Sequence, residues 1–429
     1  MEGEVEIEVG KEEMDEMKLE EAIGKIEGIH LEGSREVEAV EGDNNDDVED
    51  SSAREWARLV AAARRPGTGF PARAHRDGLL RTRPDSFTGA EAVEWLVKNW
   101  PASSDRSEAL QLAGRLLEEA VIVPAKESTE AKPAFEESAL YHFAERRKVV
   151  VVGGGFSGRK VAMKLQSSFD VTLVDNKDHF MCIISLPACL CDTDHLEKVT
   201  APHTKYLWDC TIVVDEVVGL DREGNTLLLK SHGPLPYDYL VIGTGSRYRV
   251  PVQGNDQVLV IDPLQPSSLL EHKAALAKAT YVTVVGAGPV GIEIAGEIIH
   301  HCADKQLTVI YSGKKMLERY CRGAHKNIKR YLNGTANARI LKDQKVVSAE
   351  GDSLLTTKGE RIRTDVAYFC VGFVPNTDFL QAECGDLLSE RGHIKVNEYL
   401  QVKGHPNIFA VGDVADIDEE KLAQALCFS

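Results

Sequence analysis

The sequence predicts an α/β protein made of two dinucleotide-binding domains, preceded by a small α+β module and a disordered acidic tail. Three observations carry this reading. A strand–GxGxxG–helix–strand pattern occurs twice, with first glycines at Gly153 and Gly286. Between residues 86 and 143, two helix signals are followed by short strand-like runs. The 429 residues hold 50 Lys+Arg against 68 Asp+Glu, a net charge of −18, and residues 1–50 alone hold 20 acids and 4 bases. The tail therefore accounts for −16, and the rest of the chain is close to neutral.

Residues 1–50 are expected to be disordered, because a charged segment poor in aromatic residues buries too little apolar surface to offset chain entropy. Its acidic start does not fit a secretory or mitochondrial presequence, and Glu2 stands where a myristoylation signal needs glycine. The longest apolar stretch, Tyr281–Ile299, contains Glu293 and Glu297 and is broken by Gly286, Gly288, Pro289 and Gly291, so no transmembrane segment is expected. Nine Cys without a CxxC fit reduced thiols rather than a disulfide framework or a metal site. A cytoplasmic protein, peripheral at membranes if attached to them, is the expectation.

From Arg54 to Arg83 the charge reverses, with eight Arg against Glu55 and Asp77. This reads as a solvated helix and loop, with contact to an anionic membrane surface or to the acidic tail as the sharper alternative. Thr88 and Glu91 have capping-box spacing, with Phe87 placed to staple onto Ala92. The helix they start should turn Val93, Leu96 and Val97 inward beside Trp95. A second helix begins near Asp105, with Glu108 at capping distance, and should bury Leu110, Ala113, Leu117 and Ala120. Strands are expected at Val121–Val123 and Ala139–Phe143 around the polar loop Lys126–Lys132, a winged-helix arrangement. The second helix carries Glu108, Glu118 and Glu119, so nucleic-acid binding is discounted. The order and spacing of SFTGAEAVEWL, EALQLAGRLLEEAVI and Phe135–Phe143 resemble a DEP domain over residues 52–145. The resemblance implies an adaptor that brings signalling proteins to membranes or receptors.

Lys148–Val152 is an apolar strand run that opens into Gly153, Gly155 and Gly158, then a helix, then a strand closed by Asp175. Each glycine has a mechanical purpose: Gly153 for the turn, Gly155 for close approach of backbone to a pyrophosphate, and Gly158 for packing of helix on strand. Asp175 can bind a ribose hydroxyl pair. Together these mark a Rossmann-like domain. The pattern returns at Tyr281–Val285 with Gly286, Gly288 and Gly291, followed by the strand Leu307–Tyr311. No acid ends that strand. Tyr311 is followed by Ser312, Gly313, Lys314 and Lys315, so a 2′-phosphate should be tolerated and NADPH used at least comparably to NADH.

Over Lys148–Gln424 the chain resembles the FAD-dependent pyridine nucleotide oxidoreductase superfamily, on three further segments in order. These are Tyr237–Ser246, where Gly243 replaces an alanine of the crossover motif; Tyr368–Thr377, with Gly372 and Pro375; and Asn407–Ala415, with Gly412 and Asp413. The resemblance implies FAD at the first fingerprint with Thr244, Gly245, Gly412 and Asp413, where Asp413 would bind the ribityl chain. It implies NAD(P)H as substrate at the second fingerprint. The FAD domain would comprise residues 147–261 and 369–429, with the NAD(P) domain inserted at 262–368.

The chain lacks the CxxxxC and CxxC motifs of disulfide reductases, and Cys182, Cys189 and Cys191 read as packing thiols. The nearest branches in resemblance are the apoptosis-inducing-factor-like and ferroptosis-suppressor group and the type II NADH:quinone oxidoreductases. That implies direct transfer from flavin to a quinone or other external acceptor, with a ferredoxin- or rubredoxin-type reductase as a weaker option. Asp178–Pro187 sits where that group builds a wall near the isoalloxazine. Glu293 is the candidate catalytic carboxylate, implied to lie near nicotinamide and flavin; as a residue it serves equally to complement a helix dipole. Only sixteen residues follow Asp413, against the small C-terminal domain of the family. The expectation is an acceptor side open to water and a weaker hold on flavin, and with it the alternative of a non-catalytic signalling or scaffold protein.

Overall fold

The computed structural model describes residues 46–418, apart from 66, 78–80, 104, 127–133, 192, 262–268 and 319. The acidic tail up to residue 45, most of the expected 126–132 loop and residues 419–429 lie outside the described residues.

The N-terminal module packs three helices on a four-stranded antiparallel sheet. Helix α1 (Asp46–Arg64) begins within the stretch expected to be disordered, and it leads into β1 (Arg73–Asp77) and β2 (Arg81–Thr88). Helix α2 (Gly89–Asn99) and α3 (Arg106–Glu118) precede β3 (Ile122–Pro124) and β4 (Leu140–Phe143), in sheet order β1-β2-β4-β3. The capping box is complete at α2: Glu91 N–H donates to Thr88 Oγ1 at 3.1 Å and Thr88 N–H donates to Glu91 Oε2 at 2.8 Å. Phe87, Ala92, Val93 and Leu96 are fully buried together.

Two inward placements are corrected. Val97 is 42% exposed. Ala120 lies beyond the end of α3 with φ +53°, and is exposed. The buried face of α3 is Ala109, Ala113, Leu116 and Leu117, a stripe that ends where the helix does, so Leu116 fills the place expected of Ala120. The basic stretch is also more than helix and loop, since its second half forms the β1–β2 hairpin. Arg64 within it is structural: its guanidinium donates to Ala144 O at 3.0 Å and Val121 O at 3.1 Å and lies over the Phe143 ring. Burial, then the charge of Arg146, pushes its pKa down to about 10.

The first α/β domain is a parallel sheet of β5 (Lys148–Val152), β6 (Asp170–Asp175), β7 (Cys210–Val214), β8 (Tyr239–Ile242) and β14 (Ile408–Ala410), in order β14-β8-β5-β6-β7. Its central strand buries all four valines after Lys148, as a strand covered on both faces must. Helix α4 (Phe156–Leu165) crosses from β5 to β6. The second domain repeats this plan with β9 (Leu259–Ile261), β10 (Tyr281–Val285), β11 (Gln306–Tyr311), β12 (Ala338–Lys342) and β13 (Val366–Phe369), parallel and ordered β9-β13-β10-β11-β12. Helix α5 (Pro289–His301) crosses from β10 to β11. Residues 259–261 and Phe369 thus pair within the second sheet, although the sequence places them in the first domain. One buried polar residue in this sheet, Thr283, is satisfied by Thr364 at 2.8 Å between hydroxyls.

An antiparallel ribbon, Ser246–Tyr248 with Phe373–Pro375, joins the two domains where the chain enters and leaves the second one. A second junction is apolar. Leu186, Cys189 and Leu190 of the first domain share a buried cluster with Ile294, Ala295 and Ile298 of α5.

Candidate functional site

The two glycine turns have the same backbone construction. Gly153 has φ +96° and Gly286 φ +110°, values that L side chains rarely adopt. Each turn is tied to the strand after its helix, by Gly153 N–H to Val174 O at 2.8 Å and by Gly286 N–H to Ile310 O at 2.7 Å. Each is backed by a crossover strand: a Cβ on Gly153 would lie 2.4 Å from Gly243 O, and one on Gly286 would lie 2.1 Å from Cys370 O. The third glycines are equally confined, since a Cβ on Gly158 or Gly291 would lie 1.9 or 2.2 Å from the oxygen of the first glycine.

The middle glycines differ in kind. Gly155 and Gly288 are the N-caps of α4 and α5, neither helix has a side-chain cap, and a Cβ on either residue would meet nothing within 4 Å. The space beside each N-cap is therefore open, at the positive end of a helix dipole without a side-chain cap, which suits a phosphate.

Three separated segments converge on the first turn. Gly412 has φ +68°, and a Cβ there would lie 2.5 Å from Ser157 Oγ, in the first turn of α4. Ser246 Oγ donates to Asp413 Oδ2 at 2.5 Å. Thr244 Oγ1 donates to Asn376 O at 2.7 Å, Asn376 Nδ2 donates back to Thr244 O at 2.9 Å, and Asn376 N–H donates to Gly245 O at 2.9 Å. Gly243 is close-set: a Cβ there would lie 3.2 Å from Val411 Cγ2 and 3.4 Å from Gly158 N, so the alanine usual in the motif would fit with only a small shift of Val411.

Asp175 ends β6 at this turn, but it is 6% exposed and already engaged. Its Oδ2 accepts Gly154 N–H at 2.6 Å, while Oδ1 accepts Lys177 N–H at 3.1 Å and Lys177 Nζ at 3.3 Å. Burial works to raise its pKa, yet His203, the Lys177 ammonium and the two backbone donors hold it below the usual carboxylate value. The carboxylate therefore anchors the glycine turn, and a ribose would share Oδ1 with Lys177.

Sequence reasoning missed the groups around it. His203 is fully buried, with Nε2 3.5 Å from Asp175 Oδ2, while Nδ1 pairs with the Tyr206 hydroxyl. The Arg159 guanidinium lies 4.4 Å from the Phe180 ring centroid and 5.4 Å from that of Tyr206. Only Arg159, at the start of α4, carried a local signal, namely a cation one residue after the third glycine.

At the second turn, Tyr311 takes the place of Asp175 and is buried. Ser312, Lys314 and Lys315 are exposed on the loop that follows, and Leu317 N–H draws this loop back onto Ala287 O at 2.8 Å. Gly372, φ +112°, lies at the mouth of the joining ribbon, its carbonyl accepting Arg249 N–H. Glu293 stands on α5 with its pKa raised, first by partial burial and then by Glu297 one turn on. It has no hydrogen bond or ion pair among the described residues. The described residues hold no group of three or more metal-ligating side chains, and none of their helices is long and apolar enough to cross a membrane.

With this geometry in hand, comparison with known proteins is decisive for the family. The model of the family described as "Pyridine nucleotide-disulphide oxidoreductase" matches residues 147–426. The chain belongs to this family. Its members are FAD-dependent oxidoreductases that use pyridine nucleotides. Residues 69–143 match the DEP domain, found in Dishevelled, Egl-10 and Pleckstrin. Among curated relatives, the chain is 30% identical over 292 residues to Ferroptosis suppressor protein 1 of Xenopus laevis, covering 65% of this chain and 77% of the relative. It is 26% identical over 307 residues to Apoptosis-inducing factor homolog B of Dictyostelium discoideum, covering 65% and 78%.

Among solved structures, reduced CoADR-RHD of Bacillus anthracis has a TM-score of 0.58 at 21% identity, covering 66% of this chain and 55% of that one. NDH2 of Plasmodium falciparum in complex with NADH has a TM-score of 0.55 at 20% identity, covering 63% and 65%. The chain thus spans less than two thirds of these two structures, and the likeness establishes the fold.

Proposed function

We propose that this member of the family is an FAD-dependent NAD(P)H oxidoreductase that passes electrons to a quinone or another external acceptor. The observation that carries the proposal is the pair of glycine turns, alike in backbone geometry, each with an uncapped helix N-terminus facing open space. Two such cradles accept two dinucleotides, which is what a hydride relay requires. When bound, FAD supplies a carrier that accepts hydride from NAD(P)H and returns electrons to an acceptor.

The residues around the first cradle fit that group. The α4 N-terminus from Gly155 would hold the diphosphate, Asp175 with Lys177 would meet the adenosine ribose, and Asp413, oriented by Ser246, would meet the ribityl chain. At the second cradle, the α5 N-terminus would hold the nicotinamide dinucleotide diphosphate. The exposed Lys314 and Lys315 would accept a 2′-phosphate, with no carboxylate at Tyr311 to oppose it. Glu293, exposed on α5 with its pKa raised, would be the carboxyl placed to exchange a proton. Support for an external acceptor comes from the sequence, which lacks the CxxC and CxxxxC motifs that relay electrons in disulfide reductases.

The DEP domain would place this activity at a membrane or a signalling partner. Because Arg64 is committed inside the module, an anionic surface would be met by the exposed arginines Arg58, Arg65 and Arg73. One preparation tests the redox reading. The purified full chain should show a flavin spectrum that bleaches on anaerobic addition of NADPH or NADH and returns on addition of a soluble quinone. Absence of flavin, or flavin that fails to bleach, removes the oxidoreductase reading and leaves a scaffold built on the same fold.

A further inference from the structure

Cys191 and Cys302 are 111 residues apart in the chain, and their sulfurs lie 3.9 Å from each other. No sequence spacing hints at this pair, because the two thiols come from different domains. Cys191 follows the short helix Leu186–Cys189 of the first domain, and Cys302 is the C-cap of α5 in the second. Both are partly buried against the apolar cluster that joins the domains, together with the fully buried Tyr368. Partial burial, then the neighbouring Cys302, pushes the Cys191 thiol up to about 12.

Both thiols are partly exposed, and one of them borders a cavity. Cys302 lines a cavity of about 110 Å³ bounded also by Ile298, Ile299, Lys305, Leu307 and Asn337, whereas Cys191 is not part of its lining. A cavity of this size admits molecules a little larger than water. A small oxidant entering this cavity meets the Cys302 residue, and the Cys191 sulfur lies beside that of Cys302.

We propose that Cys191 and Cys302 are a peroxide-responsive thiol pair whose disulfide ties the flavin-side domain to the nicotinamide-side domain. Hydrogen peroxide is the oxidant. Its O–O bond breaks as Cys302 sulfur takes one oxygen, giving a sulfenic acid and one water. Cys191 sulfur then attacks that sulfur, the S–O bond breaks, and a second water leaves as the disulfide forms. Two thiols and one peroxide become one disulfide and two waters. The sulfurs must close from 3.9 Å to about 2.05 Å, a movement within reach of side-chain rotation. The raised pKa of Cys191, the second thiol to react, slows the closing of the disulfide.

The test uses the full reduced chain and needs no flavin turnover, so its failure is distinct from failure of the redox reading above. After incubation with hydrogen peroxide, thiols titrated in denaturant should fall by two per chain. A non-reducing digest should contain a linked peptide pair carrying Cys191 and Cys302, and dithiothreitol should restore both thiols. Cys302→Ser and Cys191→Ser, made separately, should each abolish the linked pair. Cross-links confined to other cysteines, or Cys302 carried to the sulfinic acid while Cys191 stays reduced, would overturn the proposal. The linkage in the unmutated chain is read directly, so a variant that fails to fold leaves the test intact.

Discussion

Replacing Gly155 by alanine should separate ligand binding from folding. A methyl at Gly155 meets no atom of the protein within 4 Å, and its φ of −72° is one that alanine adopts readily. The only folding cost is that of alanine at an N-cap, about 0.5–1 kcal/mol. A methyl at Gly158 lies 1.9 Å from Gly153 O, a backbone atom held by its own turn, so α4 must move off β5. Overpacking alone costs about 1–3 kcal/mol, and here the immovable partner places the cost at the upper end or above.

Flavin affinity should show the opposite order of interest. The Gly155 methyl occupies the space the diphosphate would enter, and displacing one charge-assisted hydrogen bond costs about 1.5–3 kcal/mol, or roughly 10- to 150-fold in affinity. The assay is paired: thermal melts of the flavin-stripped proteins, and flavin titration of each. Gly155→Ala should melt within a few degrees of the parent and bind flavin at least tenfold more weakly. Gly158→Ala should melt well below both. Parental flavin affinity in Gly155→Ala, or a melt as low as that of Gly158→Ala, would show that the open face of the α4 N-terminus is not the binding face.

Three further outcomes follow from the same geometry. Lys314→Ala with Lys315→Ala should raise KM for NADPH about fivefold or more, one surface ion pair being worth up to about 1 kcal/mol, while KM for NADH stays within twofold; equal effects on both would refute a 2′-phosphate contact. Glu293→Gln bears on both stability and turnover. The folded Glu293 pKa lies above its ordinary value of 4.5, so the fold disfavours the charged form. Its stabilising contribution is complete below that ordinary value and is lost as pH rises through the folded one, whereas glutamine stays neutral. The variant should therefore match the parent at pH 4 and exceed it at pH 7 by about 0.2–0.5 kcal/mol, the size of a like-charge i,i+4 repulsion. Flavin reduction or reoxidation should slow on the order of 10²-fold if the carboxyl carries a proton, and an unchanged rate would reduce Glu293 to a surface residue. In the DEP domain, Thr88→Ala removes the capping box at a cost of about 1 kcal/mol, and hydrogen exchange in the first turn of α2 should quicken about fivefold while the second domain is unaffected.

What could be read from the chain was whatever is carried by short spacing. The Thr88–Glu91 box concerns atoms three residues apart, and the structure forms it as written. The valine run before Gly153 can only be a strand buried on both faces, and the third glycine of each turn answers a clash with the carbonyl of the first. Register on a helix was legible only where its end was known, which is why Ala120, one residue past the C-cap of α3, was misplaced.

Sequence alone determined that there are two nucleotide folds, because strand, turn and helix chemistry is local and repeats itself. Tertiary structure alone decided which distant groups meet. It set His203 on the carboxylate of Asp175, brought Gly412 onto Ser157 and Asp413 onto Ser246, and placed Arg64 inside a module whose sequence suggested a basic surface. It also brought Cys191 to Cys302. These contacts depend on how separate layers and domains pack, and burial of shared apolar surface, which sets that packing, leaves no fixed spacing in the sequence.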